Sequence, residues 1–330
     1  MTTENDPGTM SGDHAPSDDS TGAMIERACA LLVGQDGVQD VRAGVEWLTR
    51  AADLGDANAL ERLATVTAVG VTAPPDWAAA LDLLQQAAEH GSTRAQGQIR
   101  LLSQAPSNTT PTWAELRASI DIGLWMAAPS RTPLAEAPRV RLTENFAPAA
   151  VCDWLIARAR GRMRQAMMYD GTTKIEQVDP HRTCSDYQFD ILNTDLVVQL
   201  VREKIAAATR LPTPAMEPPR IFHYALGQDI KAHFDRCGDD VGGYGESGYQ
   251  GDRIVTFLLY LNDDYEGGEL QFPKTGFKCK GAKGDAVYFA HVDTSGKQDP
   301  LSLHAGLKVT RGEKWVMSQW IHDRPFGVPS

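Results

Sequence analysis

Two imidazoles and a carboxylate stand in the C-terminal half of the sequence as His233-Phe234-Asp235 and His304-Ala305-Gly306, with Lys314 ten residues beyond the second histidine. Two histidines and one carboxylate form the three-sided donor set that holds a non-haem ferrous ion and keeps positions open for a co-substrate and oxygen. Lys314 would then be the cation that receives an acidic co-substrate. On an extended strand, residues i and i+2 share a face, so His233 and Asp235 can reach one ion. A local triplet cannot cover one face of an octahedron and leave the opposite face open, so the third ligand must come from elsewhere, and His304 is the candidate. From His304 the chain runs to Thr310, turns at Arg311-Gly312-Glu313 and returns as Lys314 to His322. Period two in that return puts Lys314, Trp320 and His322 on one side. The distal ligand and Lys314 are expected on neighbouring strands. Alone, His-x-Asp is more often a surface pair or a satisfied core histidine than a metal site, so the surrounding residues decide.

Those residues come in a specific order. Arg220-Ile221-Phe222-His223-Tyr224 and Leu226-Gly227-Gln228 precede the triplet, and Arg253 then opens the apolar run Ile254 to Leu261. Gly267-Gly268-Glu269-Leu270-Gln271-Phe272-Pro273, Lys283-Gly284-Asp285-Ala286, Ser302-Leu303-His304-Ala305-Gly306 and Gly312-Glu313-Lys314-Trp315 follow. In order and spacing this resembles the catalytic domain of the prolyl 4-hydroxylases, over roughly residues 138 to 325.

The resemblance implies a double-stranded β-helix of the jelly-roll type with flanking helices. It implies Fe(II) and 2-oxoglutarate with O2, ascorbate as reductant, and hydroxylation of an unactivated C–H bond with release of succinate and CO2. It makes His233, Asp235 and His304 the metal ligands. Lys314 would pair with the distal carboxylate of 2-oxoglutarate, with the Tyr224 hydroxyl beside it and Trp320 close by, while Arg253 and His322 match positions that hold substrate. Two positions depart from the pattern: Ile230 stands where the family usually has a tyrosine, and Leu270 where it has a hydroxyl residue near the co-substrate. Neither change touches a ligand or Lys314; both bear on the substrate.

Two segments near these motifs have a plain reading and a functional one. The glycine-rich stretch 238–251 is either a long hairpin loop or a lid that orders over substrate, with Tyr244 or Tyr249 as a contact. The four lysines between Lys274 and Lys283 fit a solvated strand edge kept from pairing better than a nucleic-acid patch.

The chain has 330 residues, long for one domain and comfortable for two, and 42% apolar content supplies a core. A net charge of −11 disfavours a sequence-independent phosphate-backbone binder. Five scattered cysteines with no C-x-x-C fit reduced thiols and a cytoplasmic protein. Residues 1–22 carry acids and no Lys or Arg, which reads as a disordered acidic tail rather than a signal peptide. No apolar run is long enough to span a membrane.

Residues 23–103 are Ala- and Leu-rich with helical periodicity and repeat at an offset of 36: Gly34 maps to Gly70, Asp40 to Asp76, Leu48 to Leu84, Ala51-Ala52 to Ala87-Ala88 and Gly55 to Gly91. That period marks stacked helical hairpins. The segments Trp47 to Ala59 and Leu83 to Ala95 are similar to Sel1-type repeats, relatives of the tetratricopeptide repeats, a family associated with protein–protein contact. Residues 104–137 read as a linker with a short helix N-capped by Thr112. In the following module, helices are expected over Ala149 to Ala166 and Thr194 to Arg210, and strands over most of Pro219 to Ile321.

The reading is an Fe(II)- and 2-oxoglutarate-dependent hydroxylase of a protein or peptide side chain, recruited through the repeats. The alternatives are a hydroxylase of a free amino acid or small molecule with the same chemistry, and a non-catalytic repeat adaptor on a jelly-roll scaffold. A complete ligand set plus Lys314 argues against the adaptor.

Overall fold

In the computed structural model, residues 20–35, 37–106, 110–170, 175–178, 182–235 and 251–326 are described. Most of the expected acidic tail, Cys237, and the loop containing Tyr244 and Tyr249 therefore lie outside the described residues. The chain divides into two compact units, Met1–Arg100 with Ser107–Ala118, and Leu101–Pro106 with Ser119–Ser330.

The first unit is helical: α1 (Thr21–Val33), α2 (Val41–Asp53), α3 (Ala57–Val69), α4 (Trp77–Glu89), α5 (Thr93–Ser103) and α6 (Trp113–Ser119). Helices α1, α3 and α5 begin 36 residues apart, and so do α2, α4 and α6, so the sequence period continues into a third, shorter hairpin. The caps repeat with it. Asp40 and Asp76 accept from Ala43 and Ala79 amides, and Gly34 and Gly70 close α1 and α3 in the left-handed conformation. A Cβ at Gly70 would sit 2.6 Å from Pro75 Cδ, so the turn after α3 has no room for a side chain. Small residues make the contacts: Ala28, Ala51, Ala59, Ala64, Ala80 and Ala87 are fully buried with Leu48 and Leu84. The expected cap at Thr112 forms a reciprocal pair, Glu115 N donating to Thr112 Oγ1 and Thr112 N to Glu115 Oε2.

The second unit is built on strands. After α7 (Ile122–Met126) come β1 (Thr132–Glu136), β2 (Arg139–Thr143), α8 (Ala149–Ala159), β3 (Arg164–Gln165), β4 (Met167–Asp170), β5 (Ile175–Val178) and β6 (Ser185–Gln188). Then follow α9 (Leu196–Thr209), β7 (Arg220–Tyr224), β8 (Ile230–His233), β9 (Arg253–Tyr260), β10 (Glu266–Gly267), β11 (Leu270–Phe272) and β12 (Phe277–Cys279). The chain ends in β13 (Ala286–Ala290), β14 (His304–Gly306), β15 (Val309–Arg311) and β16 (Lys314–His322).

An antiparallel sheet runs in the order β1-β2-β13-β9-β16-β7-β6-β3, and a second in the order β12-β11-β14-β8. Two facing antiparallel sheets with helices alongside are the jelly-roll architecture that the resemblance implies. The core between them is aromatic and aliphatic, with Tyr260, Phe272 and Phe289 fully buried. The lysine-bearing stretch spans β12, the outer strand of the smaller sheet, with Lys278 on the strand itself, where charge discourages further pairing.

Three local expectations change. The end of the stretch read as a linker contains β1, which pairs with β2 through a turn at the cis Ala137–Pro138 bond; its alternation Thr132-Pro133-Leu134-Ala135-Glu136 is too short to stand out from a connector. Helix α8 stops at Ala159, because Gly161 takes φ +82° and the chain then leaves for β3. His304 and Lys314 are not on neighbouring strands. β14 lies in the smaller sheet and β16 in the larger one, because β15 pairs with β10 and carries the chain across.

Candidate metal and co-substrate site

The ligand candidates meet because of register. In β14 and β8, His304 stands directly opposite His233, and their ring centroids are 4.4 Å apart. Asp235, two residues past His233, turns back between them: Oδ1 is 3.3 Å from His233 Nε2 and Oδ2 is 3.5 Å from His304 Nε2. Among the described residues these three form a group whose ligand atoms lie within 4.8 Å of one another.

The imidazoles are oriented by main-chain carbonyls. His233 Nδ1 is 2.8 Å from Lys231 O and His304 Nδ1 is 3.0 Å from Ser302 O. A carbonyl only accepts, so both Nδ1 atoms carry protons and both Nε2 lone pairs face the shared space, the tautomer a metal-binding histidine needs. Asp235 is 4% exposed. Burial alone would raise its carboxyl, but the His304 and His233 imidazoles override this and hold it well below the usual range. His233 is shifted down by burial and by His304. Neutral imidazoles around an ionised carboxylate are the form that ligates. The donor set fits a ferrous ion.

A cavity opens from the triad between the sheets, lined by His233, Asp235 and His304 at one end and by Lys314 at the other. Lys314 stands opposite Tyr224 across the β16–β7 pair, its Nζ 5.2 Å from that ring and 5.6 Å from the ring of Tyr260. It is 5% exposed, and its ammonium donates to Gly268 O at 2.7 Å; no carboxylate among the described residues pairs with it. Burial, reinforced by Lys280, pulls the ammonium down to about 8. A buried cation without a counter-ion costs free energy that an incoming carboxylate offsets. Tyr224 lines the same cavity, and burial, with the Cys184 thiol nearby, pushes its phenol well above the usual range.

Trp320 also lines the cavity, and its Nε1 is buried without a hydrogen-bond partner among the described residues. The Arg253 guanidinium lies 4.2 Å from the Trp320 ring centroid. Arg253 is held by Glu217, through Nε and through Nη2 to Oε2 at 2.9 Å, and reaches Asp235 O at 3.5 Å. His322 joins the same carboxylate, Nε2 to Glu217 Oε1 at 2.7 Å. Burial raises Glu217, but Arg253 and His322 prevail and bring it down to about 2.

The period-two reading of β16 thus holds for Lys314 and Trp320, and His322 continues on that side beside Glu217. Sequence reasoning missed four residues. Arg182 lines the cavity and its charge reaches Tyr224 and His233, but it lies far from the triplet in the chain. Glu217 had no local signal. Thr256 donates to Asp235 Oδ2 at 2.6 Å and was legible as a lone hydroxyl within an apolar run. Behind it, fully buried His291 places Nε2 2.7 Å from Thr256 Oγ1, and burial pushes its imidazole down to about 3.

Residues 219–322 match the 2OG-Fe(II) oxygenase superfamily. Over 218 residues the chain is 34% identical to a probable prolyl 4-hydroxylase 6 of Arabidopsis thaliana, covering 59% of this chain and 73% of that protein. It is 33% identical over 208 residues to prolyl 4-hydroxylase 13 of the same plant, covering 57% and 73%. The chain belongs to the prolyl 4-hydroxylase family. It is a 2-oxoglutarate- and Fe(II)-dependent dioxygenase by that membership. Among solved structures, the viral collagen prolyl hydroxylase of Paramecium bursaria Chlorella virus-1 aligns with a TM-score of 0.43 and 24% identity, over 55% of this chain and 94% of that one. In this family's sequence frame, Ile230 and Leu270 both line the cavity, so its wall is more apolar than the resemblance implies.

Proposed function

We propose that the chain hydroxylates prolyl residues in a protein or peptide, with His233, Asp235 and His304 holding Fe(II) and Lys314 receiving the distal carboxylate of 2-oxoglutarate. The observation that carries this reading is a two-histidine, one-carboxylate cluster, with Asp235 and His304 buried, at one end of a cavity whose other end holds a buried ammonium with no carboxylate partner among the described residues. When bound, the iron would let O2 act as the oxidant for C–H hydroxylation, with 2-oxoglutarate as the co-reductant that leaves as succinate and CO2.

The chain's own residues do the rest. Lys231 O and Ser302 O fix the ligand tautomers, and the apolar walls at Leu258, Leu270 and Val316 keep water from the reacting face. Arg253 and His322, both buried and both pinned by Glu217, with Arg253 also reaching Asp235 O, are the residues assigned to holding the substrate beside the metal site. Membership in the prolyl 4-hydroxylase family supports a prolyl substrate. Ile230 at the cavity wall favours a second reading, a free amino acid or small apolar substrate with the same chemistry.

Ascorbate as reductant, a reducing cytoplasmic setting for the four free cysteines among the described residues, and recruitment of the substrate by the Sel1-like helical hairpins belong to the same proposal. Succinate release from 2-oxoglutarate with Fe(II) and ascorbate, measured with proline-containing peptides, free proline and no substrate, tests it. Stimulation confined to peptides supports the first reading. Stimulation by free amino acids alone replaces it with the second.

A further inference from the structure

We infer that His291 is a positioning residue for the metal site: through Thr256 it fixes the carboxylate of Asp235 in the orientation that binds the ion. The inference rests on the triad being the metal site, as proposed above.

The direction of each hydrogen bond follows from counting protons. Ionised Asp235 can only accept, so at 2.6 Å Thr256 must give its single hydroxyl proton to Oδ2. That hydroxyl has no proton left for His291, whose Nε2 stands 2.7 Å away and must therefore donate to Thr256 Oγ1. A neutral imidazole protonated at Nε2 leaves Nδ1 as an acceptor, and Nδ1 is buried with no partner among the described residues.

A buried unpaired acceptor is a cost that a phenylalanine or leucine in the same space would not carry. The residue is also held in place: Phe289 meets the ring edge-on at 5.1 Å, the main-chain amide of His291 donates to Ile254 O at 2.9 Å, and the carbonyl of His291 accepts from Asp299 N at 2.8 Å. His291 is thus a rigid donor aimed at the hydroxyl that aims at a ligand. With Oδ2 engaged by Thr256, the carboxylate cannot rotate freely, and one oxygen stays committed to the ion. Outer partners of this kind typically alter metal affinity 10–100-fold when removed.

The test uses the full chain freed of metal and titrated with Co(II), whose visible absorption reports coordination geometry as well as affinity. Gln at position 291 places its amide nitrogen near the reach of Nε2, whereas Leu fills the space without a donor. The expected result is that His291→Leu and Thr256→Val each weaken Co(II) binding by about 10–100-fold and alter its absorption spectrum. His291→Gln is expected to stay within a few-fold of the parent, and the Thr256→Val/His291→Leu double variant to lose little more than Thr256→Val alone, because the two act in series. Thermal unfolding of the metal-free variants separates loss of fold from loss of the donor. Parental binding by His291→Leu overturns the inference and leaves the triad standing, as does equal loss in His291→Gln and His291→Leu. A parent that binds no Co(II) overturns both.

Discussion

Replacing Lys314 by methionine keeps most of the stem's volume in the cavity and removes the ammonium, so it isolates the charge. The side chain is 5% exposed, with Gly268 O as its hydrogen-bond acceptor. A 2-oxo dicarboxylate bound there forms a desolvated ion pair. Deleting one partner of such a pair costs about 3–5 kcal/mol, because the other charge is left buried and alone. At about 1.4 kcal/mol per decade that is two to three orders of magnitude in affinity. Lys314→Met is therefore expected to raise the 2-oxoglutarate Kd of the Fe(II)-loaded, anaerobic protein by that factor, with metal affinity unchanged. A 2-oxo monoacid without the distal carboxylate serves as the control, and its affinity is expected to be the same in parent and variant. The parent carries a pH signature as well. Burial and Lys280 hold the free ammonium near 8, so 2-oxoglutarate affinity is full below that pH and falls as pH rises through it. A variant that binds the dicarboxylate like the parent, or loses the monoacid equally, refutes the assignment of Lys314.

Three further outcomes follow from the same geometry. Asp235→Ala removes the one carboxylate of the triad and is expected to abolish stoichiometric Fe(II) retention in equilibrium dialysis, while apo-protein unfolding persists as a cooperative transition. Glu217→Gln removes the carboxylate that Arg253 and His322 share and is expected to lower stability at neutral pH, by at most the ~3–5 kcal/mol of a broken buried ion pair, in denaturant unfolding. Glu217 is held down to about 2 in the fold, so the stability it gives is complete above the usual carboxylate value and lost as pH falls toward 2; the variant is expected to lose that acid limb. Gly267 takes φ +70° against Lys308 O, so Gly267→Ala is expected to destabilise the fold by more than the ~1 kcal/mol of left-handed strain alone, read by denaturant unfolding.

The candidate ligand set was legible from chemistry and spacing rather than from strand period: His233 closes β8, Asp235 follows two residues on in a bend beyond the strand, and His304 heads a strand that ends at a glycine. The 36-residue helical period was legible for a similar reason, since Asp40 and Asp76 cap and Gly34 and Gly70 terminate at fixed offsets. What escaped was pairing between distant strands. Placing His304 and Lys314 in different sheets depends on the β10–β15 pair, which is only two and three residues long and carries no pattern. Arg182, Glu217 and His291 reach the site from other strands and loops, and each reads locally as an ordinary charged or core residue. The short strands between Arg164 and Gln188 also went unread, because they are too brief to show alternation.

The central claim is that one ferrous ion sits between positions 233, 235 and 304 with a co-substrate stretched from it to position 314. Anaerobic crystals soaked with Fe(II) and 2-oxoglutarate, with diffraction collected on both sides of the iron edge, test it most directly. The account predicts a single anomalous peak at bonding distance from His233 Nε2, His304 Nε2 and an Asp235 oxygen, and a carboxylate against Lys314 Nζ. A peak elsewhere, or a co-substrate whose distal carboxylate points away from Lys314, would contradict it.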